Sequence, residues 1–216
     1  MAVSKIDAEP IAGTGSRALL LDAAERLFVL CLFAWMFSRM LPGVFADGKI
    51  GDLLLLIGEG LVVAFFLVRR RTTDISQSPW EWFIAAAGTC APLLVAPGGK
   101  PLLTAHVAVP VMLVGLFVQF HAKLTLARSF GMVPANRGLK TSGPYRFVRH
   151  PMYCGYFLMQ MGFLALNPTR WNVAMYAVCY TLQILRIVAE ERLLSRDPAY
   201  REYQSRVLYR ILPGIF

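Results

Sequence analysis

The sequence predicts an all-α, polytopic membrane helix bundle of five to six transmembrane helices. Three observations carry that prediction. Hydrophobic residues make up 56% of the 216 positions and charged residues only 16%, against about 25% charged in ordinary soluble domains. A soluble globule of this length has too little interior to hide so much apolar surface. The apolar residues fall into six runs, several near the roughly 20 residues that a spanning helix needs. The formal net charge is nonetheless +9, with 22 Lys and Arg against 13 Asp and Glu, and the basic residues are unevenly distributed between the runs. Together these features exclude a disordered chain, a nucleic-acid-binding module and an ordinary cytosolic enzyme.

Each element follows in order. Met1 to Ser16 is polar and rich in small residues. It lacks the basic n-region, short h-region and cleavage site of a signal peptide, so residues 1–18 read as a flexible tail. The first helix is expected from about Leu19 to Val44, with Asp22, Glu25 and Arg26 in its first turns. The second runs from Leu53 to Val68 and stops at Arg69-Arg70-Arg71. The third runs from about Trp80 to Ala96, with Trp80 and Trp82 placed like interfacial anchors. Pro97-Gly98-Gly99-Lys100-Pro101 is a turn. The fourth helix spans Leu102 to about Leu126, and a polar, Gly- and Pro-containing stretch follows from Ala127 to Arg149. The fifth run, Pro151 to Leu166, has only 16 residues, and the sixth runs from about Trp171 to Ala189. With Asn167-Pro168 between them, these last two form a tight helical hairpin. The count is five long helices, or six if both hairpin arms cross. Residues 19–126 then hold the first four helices, and residues 127–216 hold a loop, the hairpin and a basic tail. No internal repeat of the transporter kind is present.

Cytoplasmic loops carry excess Lys and Arg. With the N-terminus inside, only Arg39, Lys49, Lys100 and Arg170 face outward, and the other 18 basic residues face the cytoplasm. The opposite orientation inverts that ratio. Both termini and the 127–149 loop are therefore expected on the cytoplasmic side.

The conspicuous polar segment is Arg137 to Tyr153, RGLKTSGPYRFVRHPMY. His150-Pro151 is a helix start, because proline suits the first turn, where its missing N–H costs nothing. The free N–H groups of that turn, together with the helix dipole, make an anion site. Arg146 and Arg149 add positive charge, and a carboxylate or phosphate is the natural occupant. A loop that merely obeys the positive-inside rule has the same composition. Beyond the hairpin, Arg186 and Glu190 stand at i and i+4 on one helix face. Folding the sixth helix back along the fifth brings Glu190 near His150 and Tyr153, with Arg186 about 6 Å deeper. An ionisable side chain at that depth points to function, unless the pair only snorkels at the membrane edge.

Other positions say less. Glu59 sits mid-helix and either pairs within the bundle or faces an acceptor cavity. His106 and His121 are not spaced as ligands on one face. Cys31, Cys90, Cys154 and Cys179 lie in apolar stretches without a CxxC pair and read as small hydrophobes. No metal site is expected, and no GxGxxG, GxxxxGK[ST] or HExxH motif occurs.

The block Thr141 to Gly155, the hairpin, Arg186-x-x-x-Glu190-Glu191, Tyr200-x-x-Tyr203 and Arg210-x-x-Pro213 resemble the integral-membrane methyltransferases related to isoprenylcysteine carboxyl methyltransferase and the phospholipid methyltransferases. The resemblance covers roughly the last 90 residues. It implies S-adenosyl-L-methionine as methyl donor, leaving S-adenosyl-L-homocysteine, held under a cytoplasmic cofactor-binding loop. Carried over by position, it implies that Tyr145, His150, Pro151, Met152 and Tyr153 line the donor site, with the loop positions Arg137 to Lys140. Glu190 is implied at the donor's polar end, with Glu191 beside it. Arg186 matches an arginine that faces the acceptor carboxylate, which makes Arg186 and Glu190 the expected catalytic residues. Methyl transfer from a sulfonium is an in-line displacement, so the protein mainly positions the reactants and excludes water. A carboxylate acceptor needs no general base, whereas an amine must first lose a proton. The expected acceptor is a lipid or lipidated molecule entering from the bilayer, with no nucleic-acid partner. Phospholipid N-methylation, small-thiol S-methylation, a non-catalytic protein of the same fold and a small transporter are the competing readings.

Overall fold

Seven α-helices and no strand occur among the described residues, which are 14–68, 79–126 and 141–215 of a computed structural model. They are α1 (Thr14–Asp47), α2 (Ile50–Val68), α3 (Pro79–Cys90), α4 (Ala105–Leu126), α5 (Pro151–Leu166), α6 (Arg170–Leu194) and α7 (Pro198–Arg206). Four helices are long and apolar enough to cross a membrane: α1 from Ala23 to Asp47, α2, α4 and α6. Phe28, Val114, Phe117 and Val173 on these helices are exposed. An outward-facing apolar surface of this kind suits lipid, so the chain is an all-α membrane bundle.

The apolar runs become helices, with informative differences. α1 begins at Thr14, so part of the stretch read as a tail is helical. The third run is interrupted. α3 ends at Cys90 and tightens into a 3₁₀ turn, Ala91–Leu94, around Pro92, which has no N–H to give an α-helical ladder. Its 12 residues reach about 18 Å, and the 16 of α5 about 24 Å, against a core of about 30 Å. Four long spans and the two shorter helices α3 and α5 thus stand where five long helices, or six, were expected. The fourth helix starts at Ala105, where the Thr104 carbonyl accepts from Val107 and Ala108, both at 3.0 Å. Leu102 and Leu103, placed in that helix from sequence, instead donate to the Ala165 carbonyl at 2.8 and 3.4 Å.

The turn between α5 and α6 is as short as expected, and two asparagines hold it. Asn167 Oδ1 accepts from the Gly98 N–H at 2.8 Å. Asn172 Nδ2 donates to the Ala96 and Asn167 carbonyls at 2.7 and 2.8 Å, and its Oδ1 accepts from the Ala96 N–H at 2.9 Å. Away from the turn the hairpin arms part company. α5 packs chiefly against α4, and α6 against α3. Glycine explains the first pairing. A Cβ on Gly115 would meet the Gly155 carbonyl oxygen at 2.7 Å, and one on Gly155 would meet the Gln119 nitrogen at 2.5 Å. The two backbones touch directly, the usual way membrane helices gain contact when lipid gives no hydrophobic push. Around this seam Leu55, Met112, Met159, Phe163 and Tyr176 form the buried core.

Candidate functional site

At the end of the bundle where α5 starts and α6 finishes, residues 141–150 lie across the last turn of α4. Gly143 has φ of 59° and sits so close to α4 that a Cβ would approach Thr125 Oγ1 to 2.9 Å; both the left-handed backbone and the space favour glycine. A 3₁₀ turn, Gly143–Arg146, then buries Tyr145. Its carbonyl accepts from the Tyr203 hydroxyl at 2.6 Å. Burial, with the Glu190 charge nearby, pushes the Tyr145 hydroxyl well above its ordinary value. Burial acts the same way on Tyr200, followed by Glu191 and Glu190. Both phenols are therefore hydrogen-bonding groups at neutral pH and not bases.

The chain after α7 returns to this spot as a strap. The N–H groups of Arg149 and His150 donate to the carbonyls of Tyr209 and Arg210 at 2.9 and 2.7 Å. Arg149 Nη1 donates to the carbonyls of Val207 and Leu208 at 2.7 and 2.8 Å. The centre of the arrangement is Glu191, whose side chain is 6% exposed. Arg149 Nε donates to its Oε1 at 2.7 Å, His150 Nε2 lies 3.2 Å from the same oxygen, and Arg210 Nε donates to its Oε2 at 2.7 Å. A buried carboxylate is tolerated when it is paired and hydrogen-bonded in this way.

This geometry revises the expected anion corner. Tyr153 and Cys154 donate their N–H groups to the His150 carbonyl at 3.1 and 3.3 Å, and Pro151 has none. Met152 is left as the first-turn N–H without an acceptor among the described residues. The Arg149 charge is used by Glu191, whereas Arg146 is exposed. The sequence reading placed Glu191 beside Glu190 at the donor; the fold turns Glu191 inward as a structural anchor. Glu190, one residue earlier and half-buried, makes no hydrogen bond or ion pair among the described residues. Lys140 and the rest of Arg137 to Lys140 lie outside the described residues.

The other expected residues gather on the bundle side of this knot. Met152 and Tyr153 are buried, and the Arg186 guanidinium carbon lies 5.8 Å from the Tyr153 ring centroid, within cation–π reach. Tyr153, Met152 and Arg186 border a narrow crevice between α2, α3, α5 and α6. It continues inward past Tyr156 and Gln183 to Gln160 and Glu59. Gln160 Nε2 donates to Glu59 Oε1 at 3.3 Å, and the Tyr180 hydroxyl donates to Gln160 Oε1 at 3.0 Å. Nearby, Lys123 Nζ donates to Gln119 Oε1 at 2.8 Å and lies 4.9 Å from the Tyr156 ring centroid. Sequence reasoning flagged Glu59 but missed Gln160, Gln119 and Lys123. The i and i+4 pair of polar residues in the otherwise apolar α4 was an available signal.

Fold and site together define an integral-membrane helix bundle with a buried ionic knot at one end and a membrane-level crevice leading away from it. Residues 107–196 match the isoprenylcysteine carboxyl methyltransferase family. The chain is also similar to protein-S-isoprenylcysteine O-methyltransferase A of Arabidopsis thaliana, 33% identical over 106 residues, which are 45% of this chain and 53% of that protein. The matched residues run from the first turn of α4 to just beyond the end of α6. The matched stretch spans about half the length of the Arabidopsis relative.

Proposed function

We propose that the protein is an S-adenosyl-L-methionine-dependent membrane methyltransferase acting on a lipophilic acceptor, most like isoprenylcysteine carboxyl O-methylation. The observation that carries this reading is the side-by-side division of labour at Glu190 and Glu191. Glu191 is consumed in holding the site together. Glu190 keeps its carboxylate available beside Tyr145 and Tyr153, within the region matched to the methyltransferase family.

The residues present suit the proposed donor. Glu190 offers an acceptor for an ammonium or a ribose hydroxyl, and the Met152 N–H offers a donor for a carboxylate. When bound, that group supplies an electrophilic methyl on a sulfonium. Tyr145, Tyr153 and Met152 give one side of the site an apolar wall that excludes water. The ordered 143–150 segment fixes these walls, because the strap and Glu191 leave its backbone little freedom. Arg186, between this wall and the crevice, neutralises an anionic acceptor end and aims it at the methyl group. Such alignment is where a displacement of this kind gains most of its rate. Lys140 is assigned to the same donor site in this reading. The acceptor enters sideways from the bilayer through the crevice, and the polar end with both termini faces the cytoplasm.

Glu190→Gln tests the assignment with least damage to the fold, since no hydrogen bond or ion pair among the described residues depends on that carboxylate. The variant is expected to unfold at the wild-type temperature while S-adenosyl-L-homocysteine binding falls at least tenfold in calorimetry. Wild-type affinity in the variant overturns the donor site. Incubation with methyl-labelled donor and membrane lipids, followed by identification of the labelled product, tests the activity. Label on an ester carboxyl supports the carboxyl reading, whereas label on an amine or a thiol replaces it with N- or S-methylation.

A further inference from the structure

The crevice has a second polar station that the methyl-transfer reading leaves unused. Glu59 is the middle residue of α2, with nine residues on either side of it between Ile50 and Val68, and it is 3% exposed. A carboxylate at the midplane of a membrane span is costly and calls for a partner. Its hydrogen bond from a described residue is the 3.3 Å contact from Gln160, although a carboxylate can accept about four. Lys123 donates its hydrogen bond to Gln119 and lies over the Tyr156 ring, so its charge offsets that of Glu59 across the core without supplying a hydrogen bond to it. Tyr180 holds the Gln160 carbonyl oxygen, which fixes the amide so that its NH₂ faces Glu59. Both Glu59 and Gln160 line the crevice, so spare acceptor capacity faces the space an occupant would fill.

Gln160 lies seven residues beyond Tyr153 on α5, or about 10 Å deeper along the helix. We propose that Glu59 and Gln160 are a specificity station that recognises a hydrogen-bond donor, an ammonium or a hydroxyl, about 10 Å along the acceptor from its reacting end. The inference rests on the reading that the crevice holds the acceptor. A purely hydrocarbon chain would leave Glu59 buried against apolar atoms, which penalises it. The station therefore narrows the proposed acceptor from a plain prenyl chain to a carboxylate whose chain carries such a donor, rejecting plain chains as much as attracting substituted ones.

Three single-chain carboxylate amphiphiles of equal length test this: one plain, one with a hydroxyl and one with a primary ammonium at that distance. Binding is measured on the purified full chain without methyl donor. The wild type is expected to bind both substituted probes at least tenfold tighter than the plain one. Glu59→Gln is expected to lose the preference for the ammonium and keep that for the hydroxyl, and Glu59→Leu to lose both. Equal binding of all three probes by the wild type overturns the proposal, as does a preference that survives in Glu59→Leu. If Glu59→Leu does not fold, the wild-type comparison and Glu59→Gln decide. Failure of methyl transfer is seen separately, as absent S-adenosyl-L-homocysteine binding or absent labelled product, with or without a probe preference.

Discussion

Glu190 and Glu191 are adjacent, yet they do different work. Neighbours on an α-helix point about 100° apart, so one faces the strap and the other the space above Tyr153. The sequence marks the pair clearly but cannot say which is which. That depends on where residues 207–211 pack, a contact made across many residues. Arg149 has the same history. Its charge reads as part of an anion site, whereas four of its hydrogen bonds go to Glu191 and to the strap carbonyls. Removing one partner of a buried, hydrogen-bonded ion pair costs about 3–5 kcal/mol. Glu191→Gln is therefore expected to lower thermal stability strongly, in contrast to Glu190→Gln. A Glu191→Gln protein that melts with the wild type would show that the knot contributes nothing.

At the scale of the elements, the short turn at Asn167 was visible from Asn-Pro, and α5 from its Pro151 start. The partner of α5 was not visible. Gly155 stood in a motif as a mere spacing position, and Gly115 drew no notice. Their role appears only when two backbones meet, because glycine carries no pattern of its own in an apolar helix. α7 was similarly overlooked within the basic tail. Asp197, whose Oδ1 accepts from the Ala199 N–H at 2.9 Å, followed by Pro198, was a readable helix start. Gly155→Ala puts a methyl group against the α4 backbone, and overpacking of this kind costs about 1–3 kcal/mol. The expected outcome is a lower melting temperature, with loss of activity in proportion, since the same helix carries Met152 and Tyr153. Unchanged stability would mean that α4 and α5 can move apart freely.

For the whole molecule, composition was enough to give the class, because no soluble arrangement hides that much apolar surface. The exact number of spans was less accessible, since Pro92 divides a continuous apolar run into an α-helix and a 3₁₀ turn. The proposed site lies where the described C-terminal strap closes over the polar end. Deleting residues 207–216 removes Arg210 and every carbonyl that holds Arg149 and His150. The bundle is expected to insert and remain helical by circular dichroism, while S-adenosyl-L-homocysteine binding is lost. Retained binding would show that the strap is dispensable.

The strap also sets an order of events during biosynthesis. Residues 207–211 follow α1 through α6 in the chain, so they are made after all six helices. Until those residues emerge, Arg149 and Glu191 have no carbonyls or second guanidinium to meet them, and the polar end stays open. The polar end is thus the last part of the described fold to close, and a segment outside every apolar helix closes it.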